Sequence, residues 1–333
     1  MDEGVRECYE RLLMRELEGR YSERGSRGMR GEDERMPIAS AILSQLRSFS
    51  KLRGKERLSE RQLDLIYKGL EEEWQMKEMK LYYQAVVIFE LGEMRVNYRS
   101  LPKDLWSMMM DDVRKKMQSK IKPVSLSSLC KGWKSMGYKC KDMDEELKEA
   151  VLRAVVDLCR DERNGRGIAN VIYYLGDMEA DWGKDMKEKQ KDILEGIAKA
   201  SKGFKAQELS NALLGLSNMK ASWKGMSGEV QNSFLVAIEA TCKDMNQQGI
   251  SNTLYSLGLL GLTWEDVPSS LQEKLLDHLY HLLHSENFIF IDLNGCVTGL
   301  KNMGYNWKNG EKLYEKIVKK MRFHANKAKP TKQ

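Results

Sequence analysis

Leu126-Ser127-Ser128, Ile168-Ala169-Asn170, Leu209-Ser210-Asn211, Ile250-Ser251-Asn252 and Leu293-Asn294-Gly295 are five versions of one phrase, set 42, 41, 41 and 43 residues apart. Ten residues after each leading Leu or Ile stands Met136, Met178, Met219, Leu260 or Met303. Four residues further come Cys140, Trp182, Trp223, Trp264 or Trp307. A weaker copy carries Leu91-Gly92, Met94 and Tyr98 in the matching slots, and a degenerate one is expected from near Pro37. Four of the seven tryptophans therefore share one column, which chance does not arrange. Self-similarity at a fixed period of this size is the mark of a repeat array.

Within a repeat, the phrase opens a helix, here called B, whose apolar residues fall at relative positions 0, 3, 4, 7 and 10, as in Leu209, Ala212, Leu213, Leu216 and Met219. Those positions share one helical face. A second amphipathic helix, A, follows the Trp column: Leu105 to Met117, Leu147 to Leu158, Ile193 to Ala200, Phe234 to Ala240, Leu271 to Leu283 and Leu313 to Met321. Pro102, Pro123 and Pro268 stand where helices should begin, a place proline tolerates because its missing N–H has no helical partner there. Gly137, Gly261 and Gly304 follow the Met column, where a left-handed cap is expected. A two-helix unit cannot bury its apolar face alone, so neighbours must stack. The expected fold is all-α, a right-handed α-solenoid of about seven two-helix repeats of 41–43 residues.

Composition agrees. Five prolines in 333 residues favour helix almost throughout and make parallel-sheet enzymes poor candidates. Apolar residues, 41% of the chain, suffice for a core, while no run approaches the length of a membrane helix. The six cysteines, Cys8, Cys130, Cys140, Cys159, Cys242 and Cys296, include no C-x-x-C pair and read as reduced, mostly buried thiols. The net charge of +6 belongs to residues 310–333, with eight Lys/Arg and two Glu, so everything before them sums to zero. Any polyanion contact by the body must then come from local patches.

The phrase resembles that of the octotricopeptide-type repeat family, a Leu-Ala-Asn-Thr-Leu-Trp-Ala-Leu-like string followed by a Leu-Gly turn. The nearest match is Ile250-Ser251-Asn252-Thr253-Leu254-Tyr255-Ser256-Leu257, and the resemblance covers about residues 37 to 323. Two departures stand out: the period exceeds that family's 38, and the extra C-terminal domain of its organellar relatives is not evident. Armadillo-type repeats have a nearer period and also place a recurrent Asn on a ligand-facing helix. The resemblance implies RNA binding, in organellar RNA metabolism or ribosome assembly if the source is a eukaryote. An armadillo-like scaffold that grips an extended peptide is the alternative.

On helix B the side opposite the core is formed by relative positions 2, 5 and 9. Position 2 reads Ser128, Asn170, Asn211, Asn252, Gly295; position 5 reads Lys131, Tyr173, Leu214, Tyr255, Thr298; position 9 reads Ser135, Asp177, Asn218, Leu259, Asn302. The core columns barely change, whereas these do, as expected of a modular reader whose units each meet a different base. One base per repeat gives a footprint of roughly six or seven nucleotides. The plainer account is that the Asn amide ties one repeat's backbone to the next and the other two columns vary because solvent does not select. An Asn inside a helix costs a few tenths of a kcal/mol relative to Ala, so it implies some gain. The Trp and Met columns are expected to pack between repeats.

The candidate RNA-binding residues are therefore Lys131, Asn170, Tyr173, Asp177, Asn211, Asn218, Asn252, Tyr255 and Asn302, with Lys319, Lys320 and Arg322 of the basic end for phosphates. No catalytic triad, phosphate loop or dinucleotide fingerprint is visible, and an enzyme is not expected. His278, His281 and His284 step around the helix rather than along one face, so neither metal nor cofactor is expected. The expected partners are single-stranded RNA or ribosomal RNA, or a protein, with no membrane and no small-molecule substrate. Residues 1–36 read as a charged leader, 37–323 as the repeat array and 324–333 as a flexible basic tail. The expected location is intracellular, mitochondrial or in another organelle for a eukaryotic source.

Overall fold

A computed structural model describes residues 60–76, 79–285 and 288–327. The leader, the degenerate repeat near Pro37, Cys8 and the tail beyond Lys327 lie outside the described residues. All secondary structure among the described residues is helical, α-helices joined by short 3-10 turns. The chain divides into two compact units, residues 1–138 and 139–333.

The first unit contains α1 (Glu60–Met76), α2 (Leu81–Glu93), α3 (Lys103–Lys116) and α4 (Pro123–Ser135). Here α2 and α4 are B helices that pack on each other, and α1 packs on α3. The sequence pattern left α1 unassigned, yet its buried Ile66, Tyr67, Leu70 and Trp74 make it the A helix ahead of α2. The second unit contains α5 (Glu145–Cys159), α6 (Gly165–Asp177), α7 (Gln190–Ser201), α8 (Ala206–Asn218), α9 (Gly228–Thr241), α10 (Gln247–Leu260), α11 (Ser269–Leu282), α12 (Phe290–Asn302) and α13 (Glu311–Lys327). Each B helix of this unit packs on the next, α6 on α8 on α10 on α12, and the A helices α5, α7, α9, α11 and α13 do the same. The last helix runs through Lys327, past Met321 where the pattern ends it.

Local chemistry sets the boundaries. Pro102 and Pro268 cap α3 and α11, and Pro123 is the first residue of α4. Elsewhere a side chain accepts an orphan N–H of the first turn: Asp144 from Leu147 at 2.8 Å and Asn246 from Gly249 at 2.8 Å. Every B helix ends one residue after the Met column in a left-handed residue, glycine at Gly137, Gly261 and Gly304 but Arg95, Glu179 and Lys220 in the other repeats, with φ near 60°. Three repeats thus hold a Cβ in a conformation that disfavours one.

The phrase residues sit where the periodicity puts them: Leu126, Ile168, Leu209, Ile250 and Leu293 are buried, and so are Met136, Met178, Met219, Leu260 and Met303. The Trp column has a second task that its side chains do not reveal. At four junctions its backbone N–H donates to the Met-column carbonyl of the following repeat: Tyr98 to Met136 (3.1 Å), Cys140 to Met178 (3.0 Å), Trp182 to Met219 (2.9 Å) and Trp264 to Met303 (2.7 Å), whereas Trp223 makes no such bond to Leu260. The rings of Trp182, Trp223 and Trp264 are buried, whereas Trp307 in the last repeat is half-buried.

Close helix approach depends on two further columns. Relative position 8 of one B helix meets position 6 of the next, and these are Gly92 with Gly132, Gly176 with Gly215, and Gly258 with Gly299. A Cβ on Gly92 would stand 2.8 Å from the Gly132 carbonyl oxygen, and one on Gly176 would stand 2.6 Å from that of Gly215. The remaining junction in the second unit, α8 with α10, has buried Ser217 and Ser256 in the same slots. Lys134 and Lys301 fill slot 8 in α4 and α12, the last B helix of each unit.

Lys220→Gly should relieve a left-handed Cβ and raise stability by about 1 kcal/mol. Gly215→Ala should lower it by about 2 kcal/mol or more, because the nearest obstacles are the backbone atoms of Ile172 and Tyr173. Denaturant melts of the two variants check both signs.

Candidate ligand-binding face

In the second unit, α6, α8, α10 and α12 bring the variable columns into rows. Asn170, Asn211 and Asn252 are half-buried, and among the described residues none of their side-chain amides has a hydrogen-bond partner. The amide therefore does not tie one repeat's backbone to the next among the described residues. Tyr173 and Tyr255 are half-buried at position 5, with Leu214 between them. At position 9 the Asn218 amide lies 3.4 Å from Asp177 across adjacent helices, and Asn302 is exposed on α12.

Tyr173 is the most constrained of the set. Burial, and then the carboxylate of Asp177 one turn on, to which its hydroxyl donates, push its phenol up to about 12. It presents a neutral ring at physiological pH, edge-on to Tyr174 at 5.4 Å. Lys131 belongs to the first unit, where it pairs with Glu93 at 3.0 Å and sits 4.6 Å over the Phe89 ring. That cation is engaged by its own unit.

Charge lies at the edge of these rows. Arg166, Lys202 and Lys205 flank the N-terminal ends of α6 and α8, all exposed and without an ion pair among the described residues. Helix N-termini also carry the positive end of the macrodipole. The rows themselves are neutral apart from Asp177. Lys319, Lys320 and Arg322 do not join them: all three stand on α13, an A helix, where Lys320 donates to the Ser285 carbonyl at 2.7 Å. The basic end is thus separated from the amides it was expected to assist. A cleft of about 510 Å³ lies where α8 and α10 end, lined by Ser217, Asn218, Lys220 and Leu259.

Other chemistry-bearing groups have structural partners. Burial pushes the Cys140 and Cys159 thiols up to about 12 and Cys242 to about 11, and it raises Cys296 as well, so none forms an available thiolate near neutral pH. His278 is hydrogen-bonded to the Met245 carbonyl at 2.7 Å, while His284 bonds the Tyr280 carbonyl at 3.1 Å and contacts the Lys316 ammonium. Among the described residues no His, Cys, Asp or Glu group is placed to hold a metal.

One recurring polar column escaped the sequence pattern. Gln190, Gln231 and Gln272 stand eight residues after Trp182, Trp223 and Trp264, and each donates to that tryptophan's carbonyl at 2.7–2.8 Å. The spacing was readable, but the pairing joins an A helix to a turn and has no helical periodicity to announce it. Compared with known proteins, the chain matches no family model and no curated protein at a significant level.

A phenol held above its ordinary value favours the folded state below about pH 10, and that contribution is lost as pH rises through about 12. Difference titration at the tyrosinate absorbance band should therefore place the step missing from Tyr173→Phe near pH 12.

Proposed function

We propose that the chain is a non-catalytic RNA-binding repeat protein that lays single-stranded RNA along the B helices of its second unit, as the octotricopeptide-like phrase implies. The observation that carries this reading is the row of unpartnered amides at Asn170, Asn211 and Asn252, interleaved with Tyr173 and Tyr255. Amides suit base edges and neutral rings suit base faces. Arg166, Lys202 and Lys205 at the edge of the row supply the phosphate contacts that a neutral row lacks. Neighbouring B helices about 8–10 Å apart allow one base per repeat, hence about four nucleotides on this unit. A right-handed α-solenoid is the arrangement this reading supposes, and intracellular RNA metabolism is its setting.

A second reading is favoured by the first unit. There the outward side of α2 carries Tyr82, Val86 and Phe89, with Val124 exposed at the start of α4 and the Lys131 charge paired with Glu93, a more apolar face, better suited to an extended polypeptide than to phosphates. In that case the amides of the second unit grip a peptide backbone, as in armadillo-like grooves.

Fluorescence anisotropy of the full chain with labelled single-stranded RNA tests the choice. Wild-type protein should bind, and the triple variant Asn170→Ala, Asn211→Ala, Asn252→Ala should bind at least about tenfold more weakly with an unchanged melting temperature. With three edge cations and a slope of about −0.7 per phosphate, log affinity should fall by about two per tenfold rise in salt. A folded triple variant that retains wild-type RNA affinity removes this face. Binding of extended peptides but not RNA, lost in the same variant, moves the assignment to the second reading.

A further inference from the structure

Four of the large apolar residues exposed in the second unit stand near one end, three of them at the N-terminus of α12 ahead of its row residues. Ile289, Phe290 and Ile291 lead into α12 and remain 52%, 50% and 76% exposed, and Phe323 near the end of α13 is 48% exposed. They are one patch: Phe290 and Phe323 both lie against the His324 ring, with centroids at 6.4 and 5.6 Å, and His324 is bonded to the Phe288 carbonyl at 2.8 Å. Cations surround it. Lys320 stands 5.8 Å over the Phe323 ring, Lys316 stands 4.9 Å over Tyr280, and Lys319 and Arg322 are exposed on α13 without an ion pair among the described residues. Glu311 and Glu315 on α13 and Asp292 in the first turn of α12 are the nearby acidic residues along these helices.

We infer that this end is a docking site for an anionic lipid surface. Charge complementarity requires a negative partner, because the cations outnumber the carboxylates along α13. The three residues at the start of α12 then decide its kind. Ile289 is the extended residue that precedes α12, and Phe290 and Ile291, its first two residues, point about 100° apart, so the three side chains leave the tip in different directions. A rigid partner, protein or nucleic acid, covers one side of such a tip, whereas the acyl and headgroup boundary of a bilayer closes around all of it. Isoleucine, moreover, offers no ring for a base to stack upon. Aliphatic and aromatic side chains below a collar of Lys and Arg match the depth profile of an interfacial anchor. Among the described residues no helix is long and apolar enough to cross a bilayer, so the contact is with its surface. This inference does not rest on the RNA reading, since none of the amide rows takes part.

Sedimentation of the full chain with vesicles of equal parts phosphatidylcholine and phosphatidylserine, against phosphatidylcholine alone, tests it. The protein should pellet with the mixed vesicles only. Phe290→Ser with Ile291→Ser should reduce binding at least about tenfold, and Lys319→Glu with Arg322→Glu should reduce it about fivefold for each cation removed. All four positions are exposed, so the melting temperature should stay put. Ile291→Trp adds a readout of insertion, an emission maximum that moves to the blue, relative to wild type, when mixed vesicles are added. Equal sedimentation with both lipids, an unaltered Phe290→Ser/Ile291→Ser variant, or no blue shift overturns the inference. So does a wild-type dimer that the apolar variant converts to monomer, which would assign the patch to a second copy. Displacement from vesicles by a short acidic peptide, with the apolar variant binding vesicles normally, would likewise overturn it in favour of a protein partner.

Discussion

Backbone-to-backbone approach between successive B helices is the constraint from which the remaining geometry follows. At Gly92 and Gly132, Gly176 and Gly215, and Gly258 and Gly299 there is no room for a Cβ, so the helices meet at their carbonyls rather than through side chains. That closeness brings the Trp-column N–H within hydrogen-bonding distance of the next Met-column carbonyl. It also fixes which side of each B helix is left over. Position 0 and its partners face the A row and positions 6 and 8 face neighbours, which leaves positions 2, 5 and 9 the least enclosed, although Gly295 at position 2 still abuts Ser251 and Asn218 at position 9 lies beside Gly176.

The polar side chains that do serve the fold can be told from those that do not. Gln190, Gln231 and Gln272 hold tryptophan carbonyls, and Lys139 and Lys141 pair with Glu179, itself one of the left-handed residues. Asn170, Asn211 and Asn252 have no such duty among the described residues. An amide in mid-helix lowers helix propensity by a few tenths of a kcal/mol relative to alanine, and here the fold returns nothing for it. That contrast, rather than the recurrence of asparagine alone, is what supports the proposed reading of this column.

How much was legible in the sequence follows from what kind of signal each feature leaves. The helix pairs were readable because apolar spacing repeats at one-turn intervals, and the caps at Gly137, Gly261 and Gly304 because glycine advertises a positive φ. Arg95, Glu179 and Lys220 take the same conformation without the residue that signals it, and α1 was missed because only the degenerate copy expected near Pro37 precedes it. The division after Tyr138 was equally hidden: the repeat continues at an even step from Leu126 to Ile168, and only Lys134 in a column of small residues marks the place. At the site, the columns on α6, α8, α10 and α12 were identified from angular position, yet the engagement of Lys131 by Glu93 and the placement of Lys319, Lys320 and Arg322 on an A helix needed three dimensions. Charge order along a chain does not say which row a cation joins.

Nearest-neighbour bonding also has a mechanical side. In the second unit α13 is held by α11 and α12, and each helix further in leans only on those beside it. The amide-to-carbonyl links that join one turn to the next lie at separate junctions, so they do not share a load. A pull applied at α13 would therefore be felt first by a single pair of helices, and extension would proceed in steps of one hairpin length, with the inner hairpins still folded while the outermost yields.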